Sequence, residues 1–361
     1  MSPGHAAGLV GGVVVVAVVL WDVVETIVSP RRVSRRFRLT RGVYRMTWIP
    51  WRAVGRRIPS GKRRESFLSV FGPTSVLLLL VLWVAMVVTG FTLLQWGAGS
   101  GVQRAAGRSE WLADLILSGM TLFTLTGDLA PLTVPARVLT ILEAGTGLGL
   151  LAIVIGYLPT LSQAFSRREV SVSSLDARAG SPPSAGELLL RHAGDARQGE
   201  LATLFGQWEA WSADLMETHV SFPALAYYRS QHVNQSWVAA LTTILDACAL
   251  VLAVVDEPQA ARAARLTFAI ARHAAVDLCL VFRLRPKPPA DRLPDSALAP
   301  LWRSLRGAGL ALTDTPETEA KLKRLRAMYE PQMNALSLFL AMPLPEWRGD
   351  QHARDNWCSL V

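Results

Sequence analysis

Cysteine is scarce in this 361-residue chain. Only Cys248, Cys279 and Cys358 are present, with no C-x-x-C and no short pairing. That pattern argues against a disulfide framework and a cysteine zinc site. All three lie in the second half, which fits a reducing compartment. No G-x-G-x-x-G follows a strand-like run, and there is no P-loop, H-E-x-x-H or Ser-His-Asp pattern, so no enzyme and no bound cofactor is expected. His219, His232 and His273 lack metal-ligand spacing. Acids are few at the start of the chain. Residues 1–66 hold 13 of the 37 Lys and Arg but 3 of the 28 Asp and Glu, a local excess of +10 in a chain of net charge +9. A nucleic-acid binder carries its basic face on a folded domain. Here the excess sits between two long uncharged runs, so no nucleic-acid partner is expected.

Those runs are the chief positive feature. Residues 8–28, 73–96 and 138–158 are each long enough to cross a hydrocarbon core, for which ~20 apolar residues suffice. The first has no basic leader and no A-x-A site, so it reads as a span and not a secretory signal. Residues 73–96 contain no charged residue, and residues 138–158 contain only Glu143. Between the first two runs, residues 31–64 carry repeated Arg-Arg pairs and no acid before Glu65. The positive-inside rule puts this segment in the cytoplasm and the N-terminus outside. Its interleaved Phe37, Tyr44, Trp48 and Trp51 suit a helix lying on anionic lipid; a solvated basic loop is the alternative.

This topology leaves the connection between the second and third runs on the outer side. Residues 95–109 are rich in Gly, Ala and Ser, as a loop should be. Residues 111–123 then form an apolar stretch too short to span at 1.5 Å per residue, followed by the Thr- and Gly-containing Thr124-Leu125-Thr126-Gly127-Asp128. Non-helical backbone at membrane depth survives only where protein buries it or where it lines a wet cavity. Carbonyls and Thr hydroxyls can replace the hydration shell of a cation. Ser118, Thr121, Thr124, Gly127, Asp128 and Pro131 match, in order, the pore-helix and filter pattern S-x-x-T-x-T-T-V-G-Y-G-D-x-x-P. Residues 67–169 thus resemble the pore domain of potassium channels, of the bacterial two-span kind with an extra N-terminal span. The match departs at the filter, where one residue, the first Gly and the aromatic are gone.

The resemblance implies an all-α membrane protein with three transmembrane helices. A re-entrant pore helix and filter loop would lie between the second and third. It implies a homotetramer in the plasma or inner membrane that passes K+ or another monovalent cation. Thr124, Leu125, Thr126, Gly127 and Asp128 would form the filter, and Ser118 and Thr121 would lie on the pore helix. Glu143 would brace the filter, and Gly147 or Gly149 would serve as the inner-helix hinge, with close helix packing as the alternative role of these glycines. A non-conducting receptor or scaffold that keeps the architecture is the other reading.

The expected organisation is an N-terminal span in 1–30, a basic linker in 31–66 and the pore domain in 67–169. A connector follows in 170–184, then a cytoplasmic helical domain in 185–361. Helices are expected near 185–193, 198–219, 236–255, 258–284, 296–309 and 316–341. The run 237–255 is apolar enough to raise a fourth span, but Asp246 at its centre points to a buried bundle helix. The polar-aromatic stretch 208–237 is read as interhelical contacts in preference to a ligand pocket.

Overall fold

The computed structural model describes residues 2–28, 39–102, 109–125, 127, 129–193, 199–232, 234–288 and 290–349. The chain is all-helical; among the described residues the only β-type pairing is an isolated bridge between Val255 and Leu312. It divides into two compact units. One comprises Met1–Pro50 and Pro73–Ser162, and the other comprises Trp51–Gly72 and Gln163–Val361. Among the described residues, four helices are long and apolar enough to cross a membrane.

The first unit holds α1 (Pro3–Val23), most of α2 (Leu39–Arg57) and α4 (Phe71–Ala98), α5 (Glu110–Leu122), and the first part of α6 (Val134–Ala179). A π-helical turn, Val24–Val28, closes α1. α1 and α4 approach too closely for side chains at their contact. A Cβ on Gly12 would lie 2.7 Å from the Gly90 carbonyl, and one on Gly90 would lie 2.6 Å from Val16 Cγ2. Such small-residue contacts let apolar helices associate by packing where no hydrophobic force drives them. Asp22, near the end of α1, is buried and accepts from Trp83 Nε1 (2.9 Å), Thr40 Oγ1 (2.6 Å) and the Thr40 amide (3.3 Å). The carboxylate therefore joins α1 to α4 and sits at the amino end of α2, where the helix dipole favours negative charge.

The second unit holds α3 (Lys62–Ser69), the end of α6, and α7 (Ala185–Arg191), α8 (Glu200–Ser221), α9 (Trp237–Val254), α10 (Pro258–Val281), α11 (Asp295–Gly307), α12 (Pro316–Ala327) and α13 (Glu330–Leu340). Its centre is α9, buried on every side except at Leu252 and capped by Ser236 Oγ, which accepts from the Ala239 amide (3.0 Å). α8, α10, α12, α13 and α7 all pack on it. Residues 51–72 belong to this unit. Trp51 stacks on Phe67 at 4.8 Å, and Arg52 donates to the Leu338 and Phe339 carbonyls at the end of α13.

Two expected boundaries are corrected. The connector 170–184 is helical through Ala179, because Val172, Leu175 and Ala179 continue a buried stripe at helical spacing and the breakers Gly180, Pro182 and Pro183 come only afterwards. The helix expected over 316–341 is two helices: Tyr329 leaves the helical region with φ −135°, and Pro331 in the first turn of the next segment favours a fresh helix start.

Candidate functional site

α5 lies in sequence between the two longest apolar helices, and its 13 residues reach about 20 Å at 1.5 Å each. Ser109 Oγ caps it by accepting from the Leu112 amide (3.4 Å). Asp114, one turn in, is buried and accepts from Ser100 Oγ at 2.5 Å. Ala113 and Leu117 pack with Val102 and Leu129 into a small apolar cluster. The amino-terminal half of α5 thus has a small core of its own.

The carboxy-terminal half of α5 is tied on two sides. Ser118 is fully buried; its Oγ lies 3.1 Å from the Val88 carbonyl of α4 and donates to Glu143 Oε1 of α6. Glu143 is itself fully buried, and its second oxygen has no partner among the described residues. Glu143 therefore meets the middle of α5, and what it braces directly is this helix. Thr121, one turn on, is also buried. A Cβ on Gly147 would stand 2.2 Å from the Leu122 carbonyl, so α6 can seat the end of α5 only because this residue has no side chain. Among the described residues nothing lies within 4 Å of where a Cβ on Gly149 would stand. The two candidate hinge glycines therefore differ: the first is a packing contact, and the second is open. Gln95 Nε2 of α4 donates to the Ala136 carbonyl (3.2 Å) and Thr140 Oγ1 (3.1 Å), clamping the start of α6.

Immediately after α5 the chain turns over. The Leu125 amide donates to the Met120 carbonyl (2.8 Å), the Thr124 amide donates to the Thr121 carbonyl (3.0 Å), and Thr124 has φ 55°. This pair of bonds is the Schellman closure of a helix, with Thr124 at the left-handed position that glycine usually fills. A β-branched residue there is strained, and such strain clusters at functional sites. Phe123, Thr124, Leu125 and Gly127 are exposed. Thr126 and Asp128 lie outside the described residues, as do residues 29–38 of the basic segment.

The second unit contains two buried polar knots that patterning did not reveal. Arg168 donates to the Leu225 (2.9 Å) and Tyr228 (2.8 Å) carbonyls and pairs with Glu169. It also faces His219 Nε2 at 3.2 Å, and His219 Nδ1 lies 2.9 Å from the Leu215 carbonyl. A carbonyl only accepts, so Nδ1 carries the proton and Nε2 accepts from the guanidinium. Burial, then the nearby Arg168 charge, hold this imidazole well below its ordinary value. The second knot is Asp246, which Arg292 grips through both oxygens (2.9 and 2.8 Å) and to which Tyr329 also donates. Glu330 joins Arg292 (3.0 Å) to Arg326 (3.1 Å). Burial and then the Asp246 carboxylate raise the Tyr329 phenol far above its usual value, so it remains a donor. The isolated acid in α9 was visible in the sequence, but its partners 46 and 83 residues away were not.

Among the described residues no cluster of His, Cys, Asp or Glu could hold a metal ion. No family model matches the chain, and neither the curated proteins nor the solved structures yield a match.

Proposed function

We propose that this chain is one subunit of a homotetrameric cation channel of the potassium-channel type, with α5 as a re-entrant pore helix. The observation that carries the reading is the pinning of α5 by Ser118, between the Val88 carbonyl of α4 and Glu143 of α6. A helix too short to cross lipid is held there by buried polar bonds to two helices long enough to do so. One such hairpin cannot enclose a path for ions, whereas four around a shared axis can.

In this reading Thr124, Leu125, Thr126 and Gly127 line the path through carbonyls and hydroxyls, and Asp128 sets the potential at its outer mouth. The cap of α5 occupies the Met120 and Thr121 carbonyls, so the oxygens offered to K+ or another monovalent cation begin beyond them. α6 lines the inner path and continues to Ala179 in the helical domain, which would lie in the cytoplasm and bias the gate. The N-terminus lies outside the plasma or inner membrane. Arg45, Arg57, Lys62 and Arg63 are exposed in the basic segment and would face anionic headgroups, whereas Arg52 and Arg56 are engaged with the end of α13.

The helix-capping turn at Thr124, in place of an extended filter strand, favours a second reading: a non-conducting receptor or scaffold built on the same architecture. Purified protein in liposomes separates the two. The channel reading expects K+ efflux that a Glu143→Ala variant reduces. Absence of cation flux from oriented, tetrameric protein removes it.

A further inference from the structure

We propose that residues 225–229 of the second unit form a clasp that holds the start of α4 and the emerging end of α6 as one body. The helical domain then moves both apolar helices together, and not α6 alone. The five residues close a 3-10 turn, Pro223–Tyr227, that follows α8. All are buried except Tyr228, which is half-buried.

From α6 the grip is a charged fork. Arg168 donates to the Leu225 carbonyl (2.9 Å) and the Tyr228 carbonyl (2.8 Å), a task that suits a planar guanidinium with five fixed donors. Phe165, one turn earlier, lies 5.5 Å from the Tyr228 ring, and the Arg168 guanidinium stands 5.2 Å over Phe165. From α4 the approach depends on a missing side chain. A Cβ on Gly72 would lie 2.8 Å from Tyr228 Cδ2 and 3.2 Å from the Tyr227 carbonyl. Phe71 beside it meets the Tyr227 ring edge-on at 5.3 Å. Arg229 adds α3 and α13: it pairs with Glu65 and donates to the Leu340 (2.8 Å) and Ala341 (2.9 Å) carbonyls.

The segment is in turn pinned to the core of the domain. Trp237 Nε1, at the start of α9, donates to the Ala226 carbonyl (3.3 Å), and the Tyr227 ring lies 5.9 Å from Phe282 and 6.1 Å from Phe339. Every one of the five residues therefore carries a tie to another element. α4 and α6 run on from this unit into the first as continuous helices. Each turn of a helix is bonded to the next, so a displacement at its base passes along it. Both helices take their bearing from the same five residues, so that displacement reaches them together. On the channel reading, on which this consequence rests, the opening movement arises ahead of Phe165, where Pro159 removes a bond from the α6 ladder.

The test measures the distance between spin labels on Val70→Cys, just before α4, and Ser166→Cys, on α6, in the full chain with Cys358→Ser. Both label sites are exposed, whereas Cys248 and Cys279 are buried and stay unlabelled. A single narrow distance is expected, the same in detergent and in liposomes. Arg168→Gln attacks the clasp from α6 and Gly72→Ala attacks it from α4. Each should replace the narrow peak with a broad distribution, and Leu266→Ala, exposed on α10, should leave the peak unchanged. Glu65→Gln loosens the partly exposed end of the clasp and should also broaden the peak, which keeps the test decisive if Arg168→Gln fails to fold. Three results overturn the assignment: a broad distribution in the parent, different distances in the two environments, or a narrow peak retained in every folded clasp variant. Distances are read without ion flux, so the clasp and the channel reading fail independently.

Discussion

α6 and α9 are both apolar enough to cross a membrane, yet their surroundings are opposite. In the most apolar window of α6, 11% of the residues are buried; in that of α9, 94% are. Along α6 a single stripe through Ala136, Glu143, Gly147, Leu150 and Tyr157 is covered, and Ile141, Leu148, Leu151 and Ile155 lie open. α9 is enclosed by protein and carries a carboxylate at its centre that three polar side chains of its own unit reach, directly or through Arg292. Apolarity alone therefore does not separate a helix made for lipid from one made for a core. The difference lies in what covers the helix and in how its one charged group is answered.

The comparison can be broken most forcefully at Asp246. Replacing it with Ala leaves Arg292 buried without its main partner, an expected loss of about 3–5 kcal/mol in chemical or thermal unfolding. If α9 lay in lipid, removal of a carboxylate would ease insertion and the sign would reverse. Leu148→Arg tests α6 from the other side. A cation at the centre of a helix facing lipid costs about 2.5–3.5 kcal/mol of insertion, read as loss of membrane-integrated protein. Leu266→Arg, equally exposed but on α10, should stay within about 0.5 kcal/mol of the parent. An equal tolerance of both would show that the open faces of α6 meet water.

The two glycines sharpen the picture within α6. Gly147→Ala forces a methyl group against the Leu122 carbonyl and should destabilise the α5 seat by about 1–3 kcal/mol. Gly149→Ala meets nothing and should stabilise the helix by up to about 1 kcal/mol. Flux that fails in the second variant while the fold is retained would identify Gly149 as a hinge. A further effect concerns pH. The His219 imidazole is held below its unfolded value, so the unfolded state binds the extra proton first as pH falls. Stability is fully present above the ordinary histidine value near 6.5 and declines below it by up to about 1.4 kcal/mol per pH unit. His219→Gln should flatten that part of the pH–stability curve.

Much of this was legible along the chain. Helices were legible because apolar residues recur at helical spacing, whereas the serine caps Ser109, Ser184 and Ser236 were recognised only in the structure. The short α5 was legible because a 13-residue apolar stretch between longer ones has few roles. The polar core of the hairpin was only half visible. Glu143 stood out as a charge among apolar residues, but its bond to Ser118 spans 25 positions. Gly147 and Gly149 were indistinguishable as letters, and only the Leu122 carbonyl separates them. Asp22 gave no hint of Trp83, 61 residues away.

By itself, then, the sequence determined what is additive along a chain: total apolarity, the concentration of positive charge before Glu65 and helical class. The tertiary structure alone decided which apolar helix is covered, which glycine is a contact and which acid has found a donor. Burial and pairing depend on residues brought together from distant positions, and no local sum contains them.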